Sequence, residues 1–454
     1  MRVHFIAIGG SAMHNLAIAL KQKGYEVTGS DDEFFEPSLS RLKQHGLLPS
    51  EIGWYPERLT PDIDAVVLGM HASSENPELQ KARVLGLKIY SYPEYLYEQT
   101  RGKTRVVIGG SHGKTTITSM VMHVLQQAGF DFDYMVGAQL EGFDNMVGLN
   151  NQTNLAVFEG DEYLTSPVDP RPKFHLYKPT IAVISGIAWD HFNVFPTIEN
   201  YRDQFVGFIS CIEPNGTLVY CSEDDEVAGV VSSTKRSDLE LIPYTTHPYR
   251  IEPNVGCQLV TEQACYPLKI FGRHNMQNIS AAKAVCLKLG VSESNFYRAI
   301  STFKGAAKRL QRLAEGANST VFLDFAHSPS KVAATIGAVL EEYPNRKLVA
   351  CLELHTFSSL NINFMSQYRN VFSGVAVPIV YFDPVTVEHK NLPPLNINEV
   401  RDAFGQPIPD VCISASEMVE KLNGMNWENA NLLLMTSGNF SGLNLNGLAL
   451  QIAR

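Results

Sequence analysis

Short, nearly unbroken apolar runs recur along the chain, each giving way to small or polar residues and then to a stretch with helically spaced apolar positions. Continuous apolar runs of this length suit strands of a parallel sheet buried on both faces. The first run predicts a strand over 3–8. A turn follows at Gly9-Gly10-Ser11, then a helix over 12–23 stopped by Gly24, and a second strand over 26–29. Strands over 65–69 and 87–90 complete a first group, and Gln99-Thr100-Arg101-Gly102-Lys103 reads as a polar linker. Runs over 106–108, 155–158, 181–185 and 217–221 predict a second sheet. A third α/β group is predicted from a strand over 320–325, a helix over 329–342, a strand over 347–352 and a late strand over 432–436. Between the last two groups, 272–282 reads as a loop opening a helix, while 383–398, rich in proline and charge, reads as a surface excursion.

A chain of 454 residues exceeds one ordinary core, in keeping with three domains. Its 44% apolar and 19% charged residues are those of a globular protein, and no apolar run reaches the length of a membrane span, so membrane insertion is not expected. The start, Met1-Arg2-Val3-His4-Phe5-Ile6, lacks a cleavable signal pattern and leads straight into a strand, which predicts a cytoplasmic protein. A net charge of −10 argues against nonspecific nucleic-acid binding, which draws on clustered Lys and Arg. The seven cysteines, at 211, 221, 257, 265, 286, 351 and 412, are an odd set without a C-x-x-C pair, which speaks against a disulfide framework and against zinc.

The densest chemistry lies in Val106-Val107-Ile108-Gly109-Gly110-Ser111-His112-Gly113-Lys114-Thr115-Thr116. An apolar strand there enters a glycine turn ending in Gly-Lys-Thr before a helix. Small residues let successive backbone N–H groups converge on phosphates, the helix N-terminus adds partial positive charge, Lys114 can span the β and γ phosphates, and Thr115 can ligate Mg²⁺. The pattern is shorter than the full phosphate-loop motif, which would have Gly in place of Ile108. It predicts ATP or GTP binding. Carboxylates follow the next strand in Phe158-Glu159-Gly160-Asp161-Glu162, and Asp190-His191 follows the strand after that. Mg²⁺ takes oxygen ligands, so Glu159 with Thr115 and the nucleotide phosphates form one candidate site; His191 is a less usual ligand. At the N-terminus, Gly9, Gly10 and Ser11 with Asp31 have the layout of a nucleotide-binding half, where glycines admit a diphosphate and an acid meets a ribose or base. Their spacing is not G-x-G-x-x-G, so a nicotinamide cofactor and a dehydrogenase are disfavoured.

Taken in order and spacing, these motifs resemble the Mur ligase superfamily over essentially the whole chain. The resemblance implies an α/β protein with a Rossmann-like UDP-binding domain over 1–102, a central P-loop ATPase domain with a mostly parallel sheet over 103–312, and a Rossmann-like C-terminal domain for the amine substrate over 313–454. It implies that Glu159 and His191 bind Mg²⁺ with Thr115, and that Asn275 and Asn278 in His274-Asn275-Met276-Gln277-Asn278 contact adenine. Arg309 then meets the γ-phosphate, Asp324 the ATP ribose, and Gly9, Gly10, Ser11 and Asp31 the UDP-sugar.

Family members that extend the stem peptide carry a modified lysine after the Asp-His pair, whereas Tyr201-Arg202-Asp203-Gln204-Phe205-Val206 has none. That implies action on UDP-N-acetylmuramate itself. Four segments look more like the branch that attaches the recycled tripeptide L-alanyl-γ-D-glutamyl-meso-diaminopimelate than like the branch that adds L-alanine. These are Val27-Thr28-Gly29-Ser30-Asp31 followed by Pro37-Ser38-Leu39-Ser40, the loop from Asp161 to Phe174, Asp324-Phe325-Ala326-His327, and Met435 to Gly442. The implied activity is therefore an ATP-dependent, Mg²⁺-requiring ligation of that tripeptide in peptidoglycan recycling, with L-alanine ligation as the alternative. A UDP-sugar- and ATP-binding protein without catalysis is a second alternative. Two departures touch the amine side: His327-Ser328-Pro329 replaces a His-His-Pro, and His355 stands in the turn where relatives carry an arginine for the acceptor carboxylate. Histidine lacks the permanent bidentate fork of arginine. The residues identify no general base.

Overall fold

The computed structural model describes residues 1–70, 72–166, 169–189, 194–252 and 255–453. The first apolar run forms β1 (Arg2–Ile6), joined in parallel by β2 (Glu26–Ser30), β3 (Ala65–Leu68) and β4 (Ile89–Ser91) in the order β2-β1-β3-β4. The helix Ser11–Gln22 crosses between the first two strands, and Gly24 at φ +89° turns the chain back where a side chain would strain it.

The second sheet contains β5 (Thr104–Gly109), β6 (Asp133–Met135), β7 (Val147–Gly148) and β8 (Leu155–Glu159). After the antiparallel hairpin of β9 (Leu164–Ser166) and β10 (Asp169–Pro172), it continues with β11 (Ile181–Ile184), β12 (Thr217–Cys221) and β13 (Glu240–Tyr244). Its order is β13-β12-β11-β5-β8-β6-β7, parallel except at the β6/β7 edge. Every residue of β11, and all but one of β5 and of β8, is buried, as two-sided cover requires. Arg105 is the polar exception. Its buried guanidinium donates to the carbonyls of Thr100, Lys103, Tyr177 and Lys178 and to Glu213, which satisfies a charge that would otherwise be costly to bury.

An antiparallel sheet of β14 (Tyr249–Glu252), β15 (Gly256–Val260) and β16 (Cys265–Pro267) precedes the last one. That final sheet comprises β17 (Gln311–Glu315), β18 (Thr320–Asp324), β19 (Lys347–Glu353), β20 (Val377–Tyr381), β21 (Asp410–Cys412) and β22 (Ala430–Met435), ordered β17-β18-β22-β19-β20-β21. Only β17 runs antiparallel. Val321, Leu323, Val349, Ile379, Leu432 and Leu434 pack with Phe440 and Leu448 into its core. The chain is thus an α/β protein with three mainly parallel sheets, as the apolar pattern predicts.

By contact density the described residues separate into two units. One comprises Met1–Ile187, Arg202–Tyr244 and Ala281–Phe296, with the first two parallel sheets; the other comprises Ala188–Tyr201, Thr245–Ser280 and Tyr297–Arg454, with the antiparallel sheet and the last parallel one.

Two expectations need adjusting. The predicted excursion over 383–398 contains the helix Pro384–His389 and the start of another, Ile397–Phe404. Asp383 accepts from the Val385 amide at 2.9 Å and Pro384 takes the first helical position, so Asp-Pro there is a helix start rather than a loop signal. The loop from Asp161 to Phe174 is likewise organised, by the β9/β10 hairpin. All seven cysteines are free, five of them buried, and among the described residues no helix is long and apolar enough to cross a membrane.

Candidate active site

Within the first unit, β5 lies between β8 and β11, with Ile108 opposite Glu159 and Gly109 opposite Ile184, so the loops leaving these strand ends converge. Gly110 sits at φ +132°, and a Cβ there would run into the Ser185 hydroxyl and come within 2.9 Å of its amide. Gly113, at φ +77°, caps the helix Lys114–Gln127. The loop is braced from outside its own strand: the Ser111 amide donates to the Gly186 carbonyl at 2.9 Å, and the Ser185 hydroxyl donates to the His112 carbonyl. The first turn of the following helix, which includes the buried Thr115 and Thr116, presents the positive end of its dipole, which favours an anion. The cradle therefore fits phosphates.

Lys114 Nζ donates to the Gly110 carbonyl and to Glu162 Oε2, both at 2.6 Å. Side-chain exposure is 14% for Lys114 and 1% for Glu162, so this is a buried ion pair. Burial alone would lower the Lys114 pKa, but Glu162, Asp161 and Glu159 outweigh it and hold the pKa above its ordinary value. Beside it, Glu159 accepts from the Thr115 hydroxyl at 2.8 Å and from the Gly137 amide at 2.7 Å. A carboxylate and a hydroxyl in contact, next to a phosphate cradle, form an oxygen donor set suited to Mg²⁺. Asp190 and His191 lie outside the described residues.

The N-terminal candidates also meet. The Gly9 amide donates to Asp31 Oδ2 at 2.6 Å, Gly10 precedes the helix, and Ser11 begins it. Burial pushes the Asp31 carboxyl up to about 6, against the lowering pull of the Gly9 amide and with Asp32 adding to the rise. A carboxyl raised in the folded state costs nothing below the unfolded value of about 4, where both states hold the proton. As pH rises from there through about 6 the unfolded chain ionises first, so stability is lost across that window and the loss is complete above it. Asp31→Asn removes this dependence. Its melting temperature relative to the unaltered protein should climb between pH 4 and pH 6.5 and then level off, and a pH-independent gap in a melting series would refute the assignment.

In the second unit, Gly272 at φ +92° leads into the helix Arg273–Lys288. Asn275 Nδ2 donates to the Phe271 carbonyl at 2.8 Å, and Asn278 Nδ2 reaches Asn275 Oδ1 at 3.4 Å; the His274 imidazole is held below its usual pKa by burial. Arg309 lies over the Phe325 ring, 4.7 Å from its centre, between Lys308 and Leu310, both of which have positive φ. Asp324 holds this unusual turn. Its two oxygens accept from the Leu310 amide at 2.6 Å and the Ala326 amide at 2.7 Å.

His327 Nδ1 lies 2.8 Å from the Phe325 carbonyl. Across the sheet Asp324 and Leu352 both pair with Met435, and Glu353 pairs with Tyr381, so the ends of β18, β22, β19 and β20 share one edge. On it Glu353 accepts from the Thr436 hydroxyl and from the Phe440 amide at 3.0 Å, and His355 Nδ1 stands 3.9 Å from Glu353. Glu162, Gly137 and Glu353 have roles that reading the chain did not assign. For Glu353 a signal existed, an acid closing an apolar strand at the edge where α/β ligands collect.

Profiles described as "Mur ligase middle domain" and "Mur ligase family, catalytic domain" match residues 108–286 and 2–104. The chain is 32% identical over 383 residues to the UDP-N-acetylmuramate--L-alanine ligase of Carboxydothermus hydrogenoformans, covering 82% of this chain and 79% of that one. It is similar to the structure of a murein peptide ligase from Psychrobacter arcticus, with a TM-score of 0.68, 21% identity, and coverage of 100% of this chain and 99% of that one. The structure of UDP-N-acetylmuramate:L-alanyl-gamma-D-glutamyl-meso-diaminopimelate ligase from Neisseria meningitides gives a TM-score of 0.59 and 27% identity, covering 67% of this chain and 98% of that one.

Proposed function

The chain belongs to the Mur ligase family, and from that premise we propose that it joins UDP-N-acetylmuramate to L-alanyl-γ-D-glutamyl-meso-diaminopimelate at the expense of ATP, in peptidoglycan recycling. The observation that carries the ligase reading is the convergence of Lys114, Thr115 and Glu159 on one phosphate cradle. A carboxylate is a poor acyl donor, because its leaving group would be oxide. The lactyl carboxylate of the muramate therefore attacks the γ-phosphorus of ATP, releasing ADP and leaving an acyl phosphate. The α-amine of the acceptor's alanine then attacks the acyl carbon, and the tetrahedral intermediate expels inorganic phosphate as the amine loses its proton. Lys114 and Arg309 stabilise charge on the transferring phosphoryl group by position and electrostatics. Thr115, Glu159 and His191 would hold Mg²⁺, which when bound supplies further positive charge to the phosphates.

We divide the work as residues 1–102 for the UDP-sugar, through Gly9, Gly10, Ser11 and Asp31; 103–312 for ATP, with Asn275 and Asn278 toward adenine; and 313–454 for the amine, with His327 and His355 on its side. Asp324 is read toward the ATP ribose as well as the turn it braces. The setting is cytoplasmic, where ATP and UDP-sugars occur. The 27%-identical tripeptide ligase supports the tripeptide, while the 32%-identical L-alanine ligase favours the alternative acceptor. A binder without catalysis is hard to reconcile with retained Lys114, Thr115 and Glu159.

The deciding experiment measures inorganic phosphate release with ATP, Mg²⁺ and UDP-N-acetylmuramate, offering either L-alanine or the tripeptide. The tripeptide should be preferred by at least about tenfold in kcat/KM, equivalent to about 1.4 kcal/mol. Preference for L-alanine would make the chain a stem-initiating ligase, and silence with both would favour the binding protein.

A further inference from the structure

The edge of the last sheet is lined by two acids that already accept hydrogen bonds. Glu353 takes the Thr436 hydroxyl and the Phe440 amide, and Asp383 takes the Val385 amide and, at 2.9 Å, the Ser441 hydroxyl. An amine-bearing amino acid or peptide also brings a carboxylate, and a carboxylate entering between Glu353 and Asp383 is repelled unless a cation meets it. His355 does not supply one. Burial, the largest influence, holds its imidazole pKa below the ordinary value; Glu353 and Asp383 oppose that and the charge of Lys390 adds to it, so the ring is neutral at physiological pH.

Lys390 follows the helix Pro384–His389 that leaves β20, and its ammonium reaches the turn beyond β19, where it lies over the Phe357 ring 4.5 Å from the centre. Phe357 is itself 45% exposed, so the pair lies open to an arriving ligand. A lysine closing a helix commonly satisfies the last carbonyls. Here Nζ makes no hydrogen bond or ion pair among the described residues, and the side chain is spent instead on an aromatic face contributed by another loop. On the neighbouring loop the Ser437 hydroxyl is buried without a partner, next to Gly438, where a Cβ would come within 2.9 Å of both Glu353 and His355. A cation and a hydroxyl thus remain uncommitted where both carboxylates already accept hydrogen bonds.

We propose that Lys390, seated on Phe357, receives the carboxylate of the amine substrate and is a specificity-determining residue of this ligase. The inference rests on the reading of the C-terminal domain as the amine-substrate domain. The test compares phosphate release by the unaltered enzyme, Lys390→Met and Lys390→Arg, using whichever acceptor is accepted and the same acceptor with its carboxylates, one in L-alanine or three in the tripeptide, converted to amides one at a time, the comparison being made at the position whose amidation the unaltered enzyme penalises most. Lys390→Met should raise the acceptor KM by at least about tenfold, the scale of one charge-assisted hydrogen bond, and leave the KM for ATP within twofold. The preference of the unaltered enzyme for acid over amide should collapse in Lys390→Met and persist in Lys390→Arg. An undiminished acid preference in Lys390→Met, or an equal rise in both KM values, overturns the role of Lys390 while leaving the ligase reading intact. An unaltered enzyme silent with every acceptor overturns both.

Discussion

Lys114→Met should lower kcat/KM for ATP-dependent phosphate release by more than about a thousandfold, the scale expected when a cation on a transferring phosphoryl group is removed. The same substitution should also unsettle the fold, for a separate reason. Glu162 is 1% exposed and Lys114 is its ion-pair partner, so the single variant takes the ammonium away from a buried carboxylate. Breaking one side of a buried pair typically costs about 3–5 kcal/mol. The double variant Lys114→Met/Glu162→Gln removes both charges, and its melting temperature should return most of the way to that of the unaltered protein while activity stays lost. Thermal denaturation alongside phosphate release separates the two effects. A single variant that still ligates would end the assignment of Lys114 to the reaction.

Glu159→Gln is the second large effect. The carboxylate accepts from Thr115 and Gly137, contacts that an amide oxygen can partly keep, so the fold should survive. A neutral amide is a much weaker ligand for a hard divalent cation. The Mg²⁺ concentration for half-maximal activity should rise by at least about tenfold and turnover at saturating Mg²⁺ should fall by about a hundredfold. An unchanged Mg²⁺ titration would remove Glu159 from the metal site.

Local chemistry was the most legible part of the chain. The glycine turn before Lys114 announces its strand and helix, and the helix Pro329–Glu342 and strand Thr217–Cys221 occur at the bounds their periodicity predicts. Several strands of the last sheet were not legible. β21 has three residues and β17 has no buried position, so neither presents the apolar run that marks a central strand, while the apolar run of the interior β20 is broken by Pro378, a residue that argues against a central strand. Long-range pairings were hidden for a different reason. Arg105 and Glu213, and Lys114 and Glu162, are brought together by strand order, which no local pattern encodes. Asp324 shows how a resemblance can name a residue without the contacts it makes in the fold. Read toward the ATP ribose, it also braces the turn at Leu310 with both oxygens.

The buried Glu162 gives the phosphate cradle an anion of its own. With Lys114 already neutralised, a bare inorganic phosphate or sulfate gains little from entering, because it must compete with a buried carboxylate for the lysine. A nucleotide arriving with Mg²⁺ is in a different position: its phosphates are partly neutralised, and the remainder of the molecule contributes contacts of its own. The counter-ion is thus expected to weigh against small oxyanions, so that occupancy should follow the nucleotide rather than the total anion concentration.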